Sequence, residues 1–196
     1  MAATSRPSGF LPRLGDEAYR GPAVVFWTHT VDQRATGWLD ERFHTAFREI
    51  CLHTAVRENL FCPVYTLMPD HVHFIWMGVS SSSDQRPAAR FLRTFLGKEL
   101  KPFSWQHQPH DRVLREEERR QKAFMAMVDY IAMNPVRAGL AVAPEDWRYT
   151  GCIIPGYPDL HPLKAGFWEK FWSLHEAAIV AGSVGKLEMS GMHPAV

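Results

Sequence analysis

An α+β fold, a small antiparallel sheet with helices packed on it, is the arrangement this sequence predicts, and three observations predict it. Short β-branched and aromatic runs at 23–30, 61–68 and 71–79 read as strands. Segments following Asp40 and Pro87 repeat apolar residues near the 3.6-residue period of a helix. Their order, strand, helix, hairpin, helix, suggests a split β-α-β, ferredoxin-like layout.

The first strand, 23–30, opens after the Gly21-Pro22 breaker. Asp40 then caps a helix whose Phe43, Phe47, Ile50, Cys51 and Thr54 form one buried face, with Glu41, Arg48, Glu49 and Arg57 between them. Runs 61–68 and 71–79 flank Pro69-Asp70 closely enough to pair as an antiparallel hairpin. After a polar loop at 80–85, residues 87–101 are amphipathic, with Phe91, Leu92, Phe95, Leu96 and Leu100 as the apolar stripe. Residues 103–114 predict a short strand with turns, and 116–133 a helix that Pro135 ends. Beyond Trp147, a Pro- and Gly-containing loop leads to a helix at 167–178, whose Phe167, Trp168, Phe171, Trp172 and Leu174 would dock on the domain or on a partner. The chain therefore divides into a loose tail (1–20), one folded unit (21–151), an aromatic helical extension (152–180) and a second loose tail (181–196).

The chain has 196 residues, of which 46% are apolar, enough to fill the core of one domain. A formal net charge of +1 gives no global field toward nucleic acid, so any anionic partner must meet a local patch. Three widely spaced cysteines, Cys51, Cys62 and Cys152, form neither a disulfide framework nor a zinc motif, as expected of a cytoplasmic protein. No apolar run approaches the roughly 18 residues that a membrane span needs, and no membrane partner is expected.

The chemistry gathers in two places. Residues two apart on a strand share a face, so His71 and His73 present both imidazoles together. Tyr130 and Asn134, four apart on a helix, lie about 40° apart around its axis and one turn apart along it. A His-x-His pair or a helical tyrosine is by itself most often structural. If the helix covers the histidine face, however, the Asn134 amide oxygen could complete a three-ligand metal site beside the phenol. Such a site would polarise a phosphoryl group and assist a tyrosine nucleophile, since a phenol of ordinary pKa, about 10, needs help at neutral pH.

These residues resemble a known family. Met68-Pro69-Asp70-His71-Val72-His73 is similar to the Met-Pro-Asn-His-Val-His signature of the REP-associated tyrosine transposases, within the wider single-tyrosine His-hydrophobic-His transposases. Tyr130-Ile131-Ala132-Met133-Asn134-Pro135-Val136-Arg137-Ala138-Gly139-Leu140 resembles the family's tyrosine helix motif, with supporting matches at 110–114 and 147–151. The resemblance covers roughly 21–151, which would be the catalytic domain. It implies that His71, His73 and Asn134 hold Mg²⁺ or Mn²⁺. It also implies that Tyr130 cleaves single-stranded DNA at a hairpin-forming repeat, giving a 5′-phosphotyrosine and a free 3′-hydroxyl. General coordination chemistry favours tolerance of Mn²⁺, because Mg²⁺ prefers oxygen ligands. Asp70 departs from the signature's Asn, a turn-compatible change that could add negative charge near the metal.

For DNA contact the sequence offers Arg86, Arg90, Arg93 and Lys101 on the polar face of the second helix, where 86–101 carries five basic residues and one acid. Arg112, amid Trp105, His107, His110 and Arg115, sits in a basic and aromatic mixture suited to stacking unpaired bases. Arg137, inside the tyrosine motif, joins the expected contacts. The mixed-charge run 115–122 reads as pairs along an exposed helix rather than a DNA surface. Monomer and homodimer, including one that exchanges the tyrosine helix, are both compatible with these motifs. A reading from another class is a module of the same fold that binds DNA hairpins without turnover.

Overall fold

The computed structural model describes residues 14–114 and 123–190, with side chains described as far as residue 182. Five strands form one sheet: β1 (Val24–Thr30), β2 (Leu60–Met68), β3 (His71–Gly78), β4 (His110–Leu114) and β5 (Thr150–Ile153). Their order is β4-β1-β3-β2-β5, and all neighbours are antiparallel. The first four strands have the split β-α-β order that the sequence predicts, with β5 added on the β2 edge. The sequence pattern places that stretch in a loop. It is only four residues long, and it carries a glycine because Tyr65 packs against it: a Cβ on Gly151 would lie 2.6 Å from the Tyr65 hydroxyl oxygen.

Helices α1 (Glu41–Arg57) and α2 (Gln85–Glu99) cover one face of the sheet. Asp40 caps α1 as expected, its carboxylate accepting from the Phe43 amide at 2.8 Å. Asp84 caps α2, and Gln85 begins the helix earlier than the apolar stripe implied. The Gln85 amide is buried and satisfied, accepting from Trp27 Nε1 at 3.1 Å and donating to the Ala23 carbonyl at 2.8 Å. Val25, Trp27, Phe74 and Trp76 meet Phe43, Phe47 and Leu92 in this layer.

The opposite face carries α3 (Ala123–Arg137) and α4 (Phe167–Ser190). Helix α3 does not stop before Pro135 but passes through it to Arg137. Its end is a Schellman turn: Leu140 donates to the Pro135 carbonyl at 2.8 Å and Gly139 to that of Val136 at 3.0 Å. Gly139 takes the positive φ, 69°, that the turn requires. The extension docks on its own domain, with Phe167 and Phe171 buried and Trp168 and Trp172 against Phe124. Its helix continues past residue 178 to Ser190.

The stretch assigned to an N-terminal tail is docked at its end, where Tyr19 is buried and its hydroxyl donates to Asp111. The mixed-charge run 115–122 lies outside the described residues. Among the described residues, no helix is long and apolar enough to cross a membrane.

Candidate active site

Strand parity decides which layer each histidine enters. The two-residue turn at Pro69-Asp70 pairs Met68 with His71, so Val72, Phe74 and Trp76 point to the α1–α2 layer while His71, His73, Ile75 and Met77 point to α3. Across the sheet, His110, Thr28, His73, Thr66 and Thr150 stand in one cross-strand row. The Thr66 and Thr150 hydroxyls hydrogen-bond at 2.8 Å, and Thr28 Oγ1 lies 2.9 Å from His73 Nδ1. The neighbouring row, Arg112, Phe26, Ile75 and Val64, is apolar except at its β4 edge. One polar strip thus crosses the face that α3 covers.

The imidazoles converge through the same ring atom, His71 Nε2 lying 2.9 Å from His73 Nε2. On the far side of each ring, Nδ1 has an oxygen partner: Asp70 Oδ1 at 2.5 Å for His71 and Thr28 for His73. Asp70 Oδ2 in turn accepts from Arg34 Nη1 at 2.9 Å. Burial alone would raise the Asp70 carboxyl, but the hydrogen bonds from Arg34 and His71 hold it below its ordinary value. Its charge is therefore paired away from the Nε2 atoms rather than presented to them. Burial, reinforced by the neighbouring His71, pushes His73 down to about 3, so it is neutral at physiological pH. Arg34 reaches Asp70 from a turn in which Gln33 and Arg34 both hold positive φ, 53° and 55°. Such backbone costs roughly 1–3 kcal/mol per residue and persists where the surroundings enforce it.

This donor set fits a divalent ion. Two adjacent ligands of an octahedral ion at about 2.1 Å stand roughly 3.0 Å apart, and the two Nε2 atoms are 2.9 Å apart. Among the described residues no third His, Cys, Asp or Glu joins the two imidazoles in a metal-binding group. Asn134 carries an oxygen donor on the same groove: its Nδ2 donates to the Tyr130 carbonyl at 2.7 Å, so that bond does not engage Oδ1.

Tyr130 stands beside the pair, its ring 5.8 Å from that of His73. Phe26 stacks on His73 at 5.2 Å and meets Tyr130 edge-on at 6.2 Å, forming a wall common to both. Tyr130 is 43% exposed, open to a large substrate. One turn of α3 on from Tyr130 is Asn134; two turns on is Arg137, whose guanidinium lies 5.3 Å from the Tyr130 ring centre. His71, Tyr130, Asn134 and Arg137 all line one groove of about 550 Å³, with Arg34 and Asp70 at its other side.

The expected DNA contacts divide between the two faces. Arg137 lines the groove, and Arg112 stands opposite Phe26 on the same face of the sheet. Arg86, Arg90 and Arg93 lie in the α2 layer, around a separate groove of about 330 Å³ with Trp27 and Pro109. Arg86 pairs with Asp16, and Arg93 donates to the Gln106 carbonyl at 2.5 Å. Lys101 is exposed just beyond α2. Trp105 packs against Trp38 and His29 in the core rather than offering a free stacking surface. Sequence reasoning missed Thr28 and Arg34. Thr28 is found only once the register of β1 against β3 is known, and Arg34 carries no sequence signal because a left-handed turn places it.

No family model matches the chain. A Haemophilus influenzae protein named as a REP-associated tyrosine transposase is 23% identical over 145 residues, covering 65% of this chain and 78% of its own. The solved structure of a REP-associated tyrosine transposase bound to a REP hairpin superposes with a TM-score of 0.58 at 20% identity, over 76% of this chain and 82% of that one. The second similarity shows a shared fold, and the first agrees with the motif resemblance. Sequence and fold both set this chain beside the REP-associated tyrosine transposases.

Proposed function

We propose that this protein is a divalent-metal-dependent tyrosine transposase that cleaves and rejoins single-stranded DNA at hairpin-forming repeats. The observation that carries the reading is the Tyr130 ring set 5.8 Å from His73, whose Nε2 converges with that of His71 at 2.9 Å beside an open groove lined by His71, Tyr130 and Asn134. The similarity to a transposase solved with a REP hairpin supports the substrate class.

Mg²⁺ or Mn²⁺, held by His71 Nε2, His73 Nε2 and Asn134 Oδ1, would supply polarisation of a phosphoryl oxygen and neutralise developing charge. Every other task falls to the chain. Arg137 and Arg112 hold the DNA backbone along the α3 face. Phe26 fixes the Tyr130 ring against His73. The Tyr130 Oη attacks phosphorus as its proton passes to water, the bond from phosphorus to the 3′ oxygen breaks, and a 3′-hydroxyl leaves with a proton from solvent. The 5′-phosphotyrosine is then attacked by a 3′-hydroxyl, which restores the phosphodiester and the free phenol.

The test is incubation of the protein with Mn²⁺ and single-stranded hairpin oligonucleotides, followed by denaturing electrophoresis. A covalent adduct is expected from the wild type and none from Tyr130→Phe. An adduct that survives Tyr130→Phe refutes the assigned nucleophile. Hairpin binding with no adduct under any metal would replace this reading with that of a silent hairpin-binding module.

A further inference from the structure

With both imidazoles neutral, the two histidines cannot share one pattern of protons. His71 Nδ1 is 2.5 Å from Asp70 Oδ1, and an ionised carboxylate only accepts, so the His71 proton sits on Nδ1. The Nε2 of a neutral His71 then carries a lone pair, and it faces His73 Nε2 at 2.9 Å. His73 must therefore carry its own proton on Nε2 and donate it, with Nδ1 accepting from the Thr28 hydroxyl 2.9 Å away. A divalent ion in the same place requires lone pairs on both Nε2 atoms. His71 is already in that form, and His73 is not.

We propose that Asp70, clamped by Arg34, is a positioning residue that keeps His71 protonated on Nδ1 with or without an ion. Thr28 is the positioning residue that lets His73 change tautomer when the ion enters. His73 releases its Nε2 proton to water and takes one from water on Nδ1, so no net charge changes. Thr28 turns from donor to acceptor, which a hydroxyl can do and an amide or a carboxylate cannot do as freely. The clamp is built for its purpose: two consecutive residues other than glycine hold positive φ to bring Arg34 within 2.9 Å of Asp70, and the Asp70 carbonyl accepts from the Val31 amide at 2.9 Å. An asparagine in place of Asp70 could accept from His71 but could not pair with Arg34.

The inference rests on the reading of His71 and His73 as metal ligands, and its test separates the two. Full-length protein labelled with ¹⁵N-histidine and freed of metal is observed at pH 8 by two-bond ¹H–¹⁵N correlation, before and after addition of diamagnetic Mg²⁺. The expected signals are His71 Nδ1–H in both states and His73 passing from Nε2–H to Nδ1–H. In Asp70→Ala, His71 loses its fixed form and the Mn²⁺ dissociation constant, read by electron paramagnetic resonance, rises about 10- to 100-fold. Asp70→Asn restores the Nδ1–H form and most of the affinity, and Arg34→Ala falls between. Thr28→Val weakens Mn²⁺ binding and Thr28→Ser recovers it. A metal-free His71 protonated on Nε2, or Asp70→Ala binding Mn²⁺ within about twofold of wild type, overturns the proposal. Mn²⁺ binding that survives His71→Ala unchanged would instead overturn the ligand assignment. The metal-free tautomers would still decide the role of Asp70.

Discussion

Acid should unfold this protein partly through His73, and the size of the effect follows from its burial. His73 is 6% exposed and pushed down to about 3, whereas an imidazole in the unfolded chain titrates near 6.5. Between those values the unfolded chain binds a proton that the native state refuses, so stability falls as pH falls. Above about 6.5 the histidine contributes no pH dependence, and below about 3 the loss is complete. At pH 4.5, two units into that window, the deficit is about 2.7 kcal/mol at 1.36 kcal/mol per unit. For a domain of this size that corresponds to roughly 5–11 °C in Tm. Urea unfolding of the metal-free protein at pH 7 and pH 4.5 measures it, with His73→Gln as the comparison. His44, lowered to about 4 by burial and by Arg48, titrates in the same window in both proteins and cancels in the difference. The reasoning fails if His73→Gln loses as much stability between the two pH values as the wild type, within about 0.5 kcal/mol.

Three further outcomes are expected. Gly151→Ala forces a Cβ to within 2.6 Å of the Tyr65 hydroxyl, which His44 and Arg48 each hold at 2.9 Å, so unfolding stability should drop by about 1–3 kcal/mol. An unchanged denaturation midpoint would mean that β5 yields freely. Phe26→Leu keeps apolar volume but removes both ring contacts, to His73 and to Tyr130, which should cost about 1–3 kcal/mol in thermal or urea melts. It should also slow adduct formation; an unchanged rate of adduct formation would argue against Phe26 as a wall for the tyrosine. Arg137→Ala should weaken hairpin binding and lower the salt slope by about 1, read by fluorescence anisotropy across a salt series. An equal effect of Arg90→Ala, on the other face of the sheet, would move the DNA path to the α2 groove.

Much of this was legible in the sequence because it depends on spacing. The β2–β3 hairpin follows from two strand-like runs around Pro69-Asp70, and the shared face of His71 and His73 from a period of two. Tyr130 and Asn134 sharing one side of α3 follows from a period of 3.6. What depended on packing was not legible. Strand β5 owes its existence to pairing with β2 and to the ring of Tyr65, and four residues containing a glycine give no strand signal. Pro135 reads as a stop because it lacks an amide, yet α3 continues to Arg137 with Pro135 buried against the sheet. The basic face of α2 is real as a stripe, but the sequence could not say that it stands in the layer opposite Tyr130.

The site and the core are consequences of the same register. Phe74 and Trp76 are fully buried against α1 and α2, and they can be so only if His71 and His73 face α3. A slip of one residue in β3 would bring both imidazoles into the α1–α2 core and turn two large aromatic rings onto the tyrosine helix, at a cost of several buried aromatic contacts. The two-residue turn prevents that slip, because Met68 pairs with His71 at its base. Asp70, the second residue of that turn, is also the group that holds His71 Nδ1, and its carbonyl holds the Val31 amide at the start of the Arg34 turn. The residue that closes the hairpin therefore also orients a proposed ligand. This explains physically why a hydrogen-bonding residue rather than a glycine stands at position 70: a glycine would close the turn and leave the imidazole free to rotate.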